Sequence, residues 1–392
     1  MPFVIYLLGL AVFAQGTSEF MLAGLVPGIA AELGVSIPAA GLLTSAFAAG
    51  MVAGAPLAAA LSLRWSRRAA LLSFLIAFLL AHVIGAVTTD YAVLLATRVV
   101  AALANAGFLA VAMATAVALA PPHAKGRATS ILLSGVTIAC VAGVPGGAAL
   151  GGLWGWRSAF WAVALALVPA IVAVLRSVPG GAPGGTVRGE ARALRRPRLL
   201  LLLLLAALVN GATFATFPYL APLLTGVTGI GQAWLPGLLA LFGLGSFAGV
   251  TISGRLADTR PMALLLPGGL ALGAGWAVFG LVAGAPWPAV ALVFVQGTLS
   301  FAVGSTLISQ VLYAATGAPT LAGGFATAAL NVGAVLGPWL GGLAMDAGLG
   351  FRAPLWVSAG LVAPALLIAA ATRPFLSRPR TQVETGPPVR AE

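Results

Sequence analysis

The chain holds one cysteine, Cys140, one lysine, Lys125, and two histidines, His82 and His123, in 392 residues. A lone thiol excludes an intrachain disulfide, and Cys140 reads as a small apolar filler in a helix. So few thiols and imidazoles leave no metal-ligand spacing and no nucleophile motif to write. A phosphate-cradling P-loop is missing too, which argues against direct use of ATP. Charge is scarce throughout: 7% of residues carry one, against roughly 25% in soluble domains. Composition thus excludes a soluble globular protein.

What fills the chain instead is apolar sequence, 60% of the residues, with a mean hydropathy of +1.07. It falls into about 12 segments of about 20 residues, each long enough to cross a hydrocarbon core as a helix. The expected spans are 3–29, 39–62, 69–88, 92–119, 128–152 and 158–175, then 199–224, 234–253, 262–284, 288–313, 322–345 and 353–371. The first begins at Phe3 with no basic n-region and no cleavage site leading into soluble sequence, so it reads as a retained span and not a signal peptide.

The net charge of +12 raises the question of an acidic partner such as nucleic acid, and the placement of the charges answers it. With the N-terminus inside, 17 of the 20 basic residues fall in inner segments, the positive-inside signature of a multi-pass protein of the cell membrane with both termini cytoplasmic. No nucleic-acid partner is needed; the partner surface is the lipid bilayer.

Between the sixth and seventh spans, "RSVPGGAPGGTVRGEARALRRPR" has no apolar periodicity and reads as a cytoplasmic linker. The expected organisation is a six-helix bundle over residues 1–175, a linker over 176–198, a second six-helix bundle over 199–372 and a disordered cytoplasmic tail over 373–392. Sliding the second half back by 195 residues superimposes Gly16 on Gly211, Pro27 on Pro222, Arg157 on Arg352 and Trp161 on Trp356. Around the fifth and eleventh spans the offset is nearer 190. Equivalent spans run the same way, as between the halves of a secondary transporter.

Two charges lie inside spans: Glu19 in the first and Arg98 in the fourth. An intramembrane charge costs on the order of 2.5–3.5 kcal/mol on insertion scales, so such groups face a cavity or a partner. Gln15 and Glu19 share a helix face with Ser18 beside them, and Arg98 and Asn105 share a face of the fourth helix. Both charges sit roughly 10–12 Å from the outer helix ends. They are expected to line the central cavity within mutual influence, either as a proton-coupling pair or as a fixed tie between helices. Their repeat partners are Phe214 and Val293, so charge belongs to the first half alone. His82 has two readings, a proton relay and a neutral hydrogen-bonding group.

Residues Gly135, Ala139, Gly143, Gly147, Gly151 and Gly155 recur every four positions and give the fifth helix a face of small groups that permits close helix approach. Pro145 removes one backbone donor within it. Gly333, Gly337, Pro338 and Gly341 form a weaker set in helix eleven.

The stretches "GTSEFMLAGLVPGIAAELGVS", "RVVAALANAGF" and "GVPGGAALGGLWGWRSAFW" resemble the major facilitator superfamily, specifically its drug:proton antiporters and among them the chloramphenicol-resistance exporters, up to about Arg373. The resemblance implies an all-α membrane protein of 12 transmembrane helices in two pseudo-symmetric six-helix bundles, a transporter and not an enzyme, needing no cofactor and driven by the proton gradient. Its partners would be a small-molecule drug and protons, with the monomer as the functional unit. The cargo would be chloramphenicol or a related drug, expelled by alternating access, with resistance as the result; export of sugars or endogenous metabolites is the alternative. An intramembrane enzyme and a passive channel are more distant rivals.

Residue by residue, the resemblance assigns Arg98 to proton coupling, where the residues themselves already place Glu19, and Gly143, Pro145, Gly146 and Gly147 to an antiporter motif that seals the path against leakage or simply packs tightly. It implies a cytoplasmic gate loop at Arg64, Arg67 and Arg68, although Ala59, Leu63 and Ser66 replace that loop's usual Gly, Asp and Gly. The second copy retains Gly254 and Asp258, so a latch would rest on Asp258; topology alone would also account for the arginines. A cavity for a drug is apolar and aromatic with a few polar groups. Its candidate wall is Met21, Asn105, Asn210, Phe214, Phe217, Tyr219 and Asn331, for which lipid contact or core packing is the competing reading.

Overall fold

A computed structural model describes residues 2–62, 65–121, 125–178, 197–256, 261–314 and 319–372. The linker expected over 176–198 lies almost wholly outside the described residues, as do the tail from 373 and two gate-loop residues, Arg64 and Asp258. Among the described residues the fold is all-helical, with 12 helices long and apolar enough to cross a membrane.

Three of the expected spans are not single α-helices. The first is α1 (Phe3–Phe20) followed by α2 (Leu22–Leu33); then come α3 (Ile37–Ser62), α4 (Arg67–Val87) and α5 (Tyr91–Leu119). The fifth is α6 (Lys125–Ile138) and α7 (Val144–Trp154) joined by a π turn, Ala139–Gly143, and α8 (Trp156–Ser177) follows. The seventh is α9 (Pro197–Thr216) and α10 (Leu220–Gly226), joined by a 3₁₀ turn at Phe217–Tyr219. The remainder are α11 (Leu235–Leu256), α12 (Pro261–Val282), α13 (Pro286–Ala314), α14 (Pro319–Ala344) and α15 (Ala353–Ala371).

Local chemistry sets several of these limits. Ser66 and Asp90 cap α4 and α5 by accepting from the backbone N–H of Ala69 and Val93. Gly155 holds φ +78° between α7 and α8, a conformation that a Cβ would strain. Within the fifth span Pro145 cannot donate, and the Val144 N–H reaches back five residues to Ala139 O, so the weak point expected from the proline is a π turn.

Two buried apolar cores result, one drawn from Val4 to Val178 and the other from Leu199 to Ala369. Four residues of the first half, Ala23, Ala48, Val144 and Ala148, belong to the second core and mark where the halves meet. The glycine stripe works within the first half. A Cβ on Gly143 would strike Thr17, one on Gly147 would strike Met21, and one on Gly151 would strike Leu25, so α7 and its π turn lie directly on α1 and α2. In the second half Gly333, Gly337 and Gly341 press the same way on Ala207, Gly211 and Ala215 of α9. The repeat offset near 190 in the eleventh span thus reflects equivalent helix contacts.

The halves are sealed together toward one membrane face, the one bearing the α2–α3 turn. There Tyr219, 0% exposed, wedges between Gly41 of α3 and Gly342 of α14, and its hydroxyl donates to Pro338 O at 2.8 Å. Deeper in, Ser45 Oγ donates to Val335 O at 2.8 Å, and Gly24 and Gly243 admit close contacts across the halves to Leu239 and Cys140.

Candidate substrate and coupling site

On an α-helix successive side chains turn by about 100°, so Ser18 and Phe20 point to opposite sides of α1 with Glu19 between them. The structure uses all three directions.

On the Ser18 side is a buried polar cluster. Arg98 of α5, 1% exposed, donates from Nη2 to Ser18 O at 2.7 Å and from Nη1 to Ser18 Oγ at 2.8 Å. Its guanidinium lies 4.5 Å from the ring centroid of Phe47 and 5.9 Å from that of Phe160, cation–π contacts that offset part of its desolvation. His82 of α4 completes the cluster: Nδ1 is 2.8 Å from Phe78 O and Nε2 is 2.6 Å from Ser18 Oγ. A carbonyl can only accept, so Nδ1 carries the ring hydrogen and Nε2 accepts the Ser18 hydroxyl proton. The Ser18 oxygen then has a lone pair for Arg98, and the bonding closes with a neutral imidazole. Of the two readings of His82, the geometry uses it as a hydrogen-bonding group.

The guanidinium also explains the break in the first span. Backbone bonding passes from Met21 N–H to Thr17 O at 2.8 Å, and then from Gly24 N–H to Met21 O at 3.1 Å. Ser18 O, the carbonyl that would continue the ladder, is the one Arg98 occupies. A side chain inserted into the i→i−4 ladder is a recognised cause of a kink.

Glu19 lies beside this cluster without an ion pair; the salt bridge found among the described residues is Arg157–Glu32, far out at the α2–α3 face. Its carboxylate is within electrostatic reach of both Arg98 and Cys140. Gln15, one turn earlier, buries an amide whose two polar atoms have no protein partner.

On the Phe20 side is a narrow aromatic pocket between the halves. Phe20, Phe214, Phe217, Phe242 and Phe301 surround it as one chain of ring contacts, with centroids 5.0–6.5 Å apart. Thr213, Ser246 and Cys140 supply its polar atoms. The rings largely fill the space themselves, so a ligand would have to part them.

Of the seven candidate wall residues, Phe214 and Phe217 line this pocket. The structure places the other five elsewhere. Met21 packs on Gly147, Asn105 donates to Met51 Sδ, and Asn331 donates to Thr327 O of its own helix. Asn210 ties α9 to Leu330 O of α14, and Tyr219 is the wedge described above. Arg98 is sealed inside the first half and does not face the pocket. In the glycine stripe of the fifth span Gly143 and Gly147 face α1 and α2, whereas the neighbouring Gly146 meets open space. Arg67 and Arg68 open α4, and Gly254 is exposed near the end of α11. Phe242 and Phe301 were missed because nothing in their surroundings distinguishes them from lipid-facing phenylalanines; Phe20 carried the one usable signal, its place next to Glu19.

Membrane-length helices closing around an aromatic pocket, with a charged cluster sealed beside it, define a membrane transporter of small molecules. The chain belongs to the Major Facilitator Superfamily, whose family profile matches residues 8–323. It is 55% identical to a chloramphenicol resistance protein of Streptomyces lividans over 100% of both chains. It is 33% identical to an inner membrane transport protein of Escherichia coli (strain K12), covering 88% of this chain and 89% of the other. A chloramphenicol efflux pump of Mycobacterium tuberculosis is 29% identical over 92% of this chain and 89% of its own. Among solved structures, a bacterial homologue of the human lysosomal transporter Spinster, in an inward-facing and occupied conformation, superimposes with a TM-score of 0.78 at 18% identity, covering 96% of each chain. That likeness concerns the fold.

Proposed function

We propose that the chain exports chloramphenicol or a related small neutral drug in exchange for protons by alternating access. The observation that carries this reading is the phenylalanine pocket at the junction of the halves, with the intramembrane carboxylate Glu19 next in sequence to its Phe20. Ring faces suit the nitrophenyl group of such a drug, while Thr213 and Ser246 suit its hydroxyls and amide. Sugars or endogenous metabolites, the alternative cargo, would find few hydroxyl partners on walls of this kind. The names of two relatives point to the same drug.

In this reading residues 1–175 and 199–372 rock against each other across the pocket, joined by 176–198, as the chain's internal repeat suggests. The excess of arginine on the face opposite the α2–α3 turn puts both termini in the cytoplasm. The seal at Tyr219, Gly41 and Gly342 is then the outer gate, shut in this conformation. A carboxylate inside a membrane span must be neutralised or kept wet, so drug and proton take turns beside Glu19. The proton gradient supplies the energy, and the monomer suffices.

The test is accumulation of labelled chloramphenicol in cells with and without the protein, before and after a protonophore. Lower accumulation with the protein, reversed by the protonophore, is expected. Equal accumulation in all four conditions would reject the proposal.

A further inference from the structure

A drug exporter needs its binding pocket to report to its proton-handling charges. The first half offers a direct connection, and its middle members, Ser18 and His82, do not line the pocket. Ser18, Glu19 and Phe20 are consecutive on the last turn of α1, immediately before the joint at Met21. Phe20 is the pocket ring supplied by the first half, with its centroid 6.2 Å from that of Phe214 and 6.5 Å from that of Phe217, both in the second half. Ser18 points away from the pocket, and both of its oxygens hold Arg98. A ligand that parts the rings pushes Phe20, and a push that Phe20 passes to the backbone of this turn moves Ser18 with it.

We propose that Ser18, oriented by His82, is a positioning residue that couples drug occupancy to Arg98: displacement of Phe20 rotates the turn, loosens the two bonds to Arg98, and frees the guanidinium to act on Glu19. His82 gives the device its precision. With the hydrogen of Nδ1 committed to Phe78 O, the ring has an acceptor for the Ser18 hydroxyl proton and so aims an oxygen lone pair at Arg98. The ring is fixed in turn by stacking on Phe78, with centroids 4.3 Å apart, and by Phe160 at 5.6 Å. At the position of Ser18 in the repeat stands Thr213, which faces the pocket, and at that of Arg98 stands Val293. The second half has no counterpart to the connection.

This inference rests on the proposed drug:proton exchange, and two measurements on the purified full-length protein separate the two ideas. Binding of labelled chloramphenicol gives Kd; proton release on adding chloramphenicol, followed with a pH-sensitive dye in weak buffer, gives coupling. Wild-type protein that neither binds the drug nor releases protons would overturn the proposed function itself. Given a coupled wild type, Ser18→Ala and His82→Leu are expected to keep its Kd and to lower protons released per drug bound at least about fivefold, the range of a site-to-site coupling. His82→Gln, whose amide oxygen can take the Ser18 proton, should restore most of the release. Wild-type coupling in both Ser18→Ala and His82→Leu would overturn the inference. Parallel loss of binding and coupling that His82→Gln shares would also overturn it, by showing a structural role only.

Discussion

Arg98 grips Ser18 through both oxygens, at 2.7 and 2.8 Å, and leaves the neighbouring Glu19 outside ion-pair distance. A fixed Glu19–Arg98 tie between helices is therefore not what holds α1 to α5 in this conformation. The carboxylate is free to change its protonation without breaking a structural bond.

Replacing Glu19 with Gln keeps the size and polarity of the side chain and removes its proton exchange. Protonophore-sensitive chloramphenicol export in cells should fall to the level of cells lacking the protein, while binding by the purified variant persists. Full export by the variant would exclude Glu19 as the coupling group.

Arg98→Lys preserves the charge, but a single ammonium cannot reach both Ser18 oxygens in the planar fork that Arg98 uses or lie flat on Phe47. Hydrogen bonds to charged groups contribute roughly 1.5–3 kcal/mol each. The loss of one should lower export about tenfold or more, and thermal unfolding of the variant should move to lower temperature.

At the gate, a methyl group on Gly41 would occupy the place of the Tyr219 ring. Gly41→Ala should hold the α2–α3 face ajar, so that a cysteine introduced at position 38 reacts faster with an impermeant thiol reagent in the variant than in the otherwise wild-type protein. Unchanged labelling would mean that Tyr219 can give way.

The glycines around Pro145 are separable by packing. Gly143→Ala drives a methyl group into Thr17, an overpacking that typically costs about 1–3 kcal/mol. Gly146→Ala meets nothing within 4 Å. A clear fall in Tm for the first, with little change for the second, is the expected result, and a comparable fall for both would contradict the contact geometry.

Phe217 touches three other rings of the pocket, Phe20, Phe214 and Phe242. Truncating a central aromatic anchor removes about 2 kcal/mol or more of binding, so Phe217→Ala should raise the Kd for chloramphenicol by roughly thirtyfold. Asn105→Ala and Asn331→Ala, whose amides bond within their own halves, should leave it unchanged.

Much of this was legible in the residues because the membrane simplifies the code. A backbone that must satisfy its own hydrogen bonds in lipid forms helices wherever about 20 apolar residues follow one another, and the spans followed from that alone. Glu19 and Arg98 stood out because charge in such segments is costly. Less visible was the partner of Arg98: Ser18 is one more small polar residue in "GTSEF", and only packing shows that its carbonyl is taken and the helix broken there. The pocket was half legible for the same reason. An apolar helix is apolar on every side, so sequence cannot tell a phenylalanine facing lipid from one facing a pocket; Phe242 and Phe301, which line it, went unnoticed, and Asn105 and Asn331 bond within their own halves.

The sequence by itself determined the membrane class, the helix count, the repeat and the asymmetry that confines intramembrane charge to the first half, because these depend on composition and order along one chain. Tertiary structure decided which side chains meet. It turned Arg98 from Glu19 to Ser18, made His82 the acceptor of the Ser18 proton, and assembled a pocket from five phenylalanines on four helical spans, since contacts between side chains on different helices depend on how helices pack and not on what each contains.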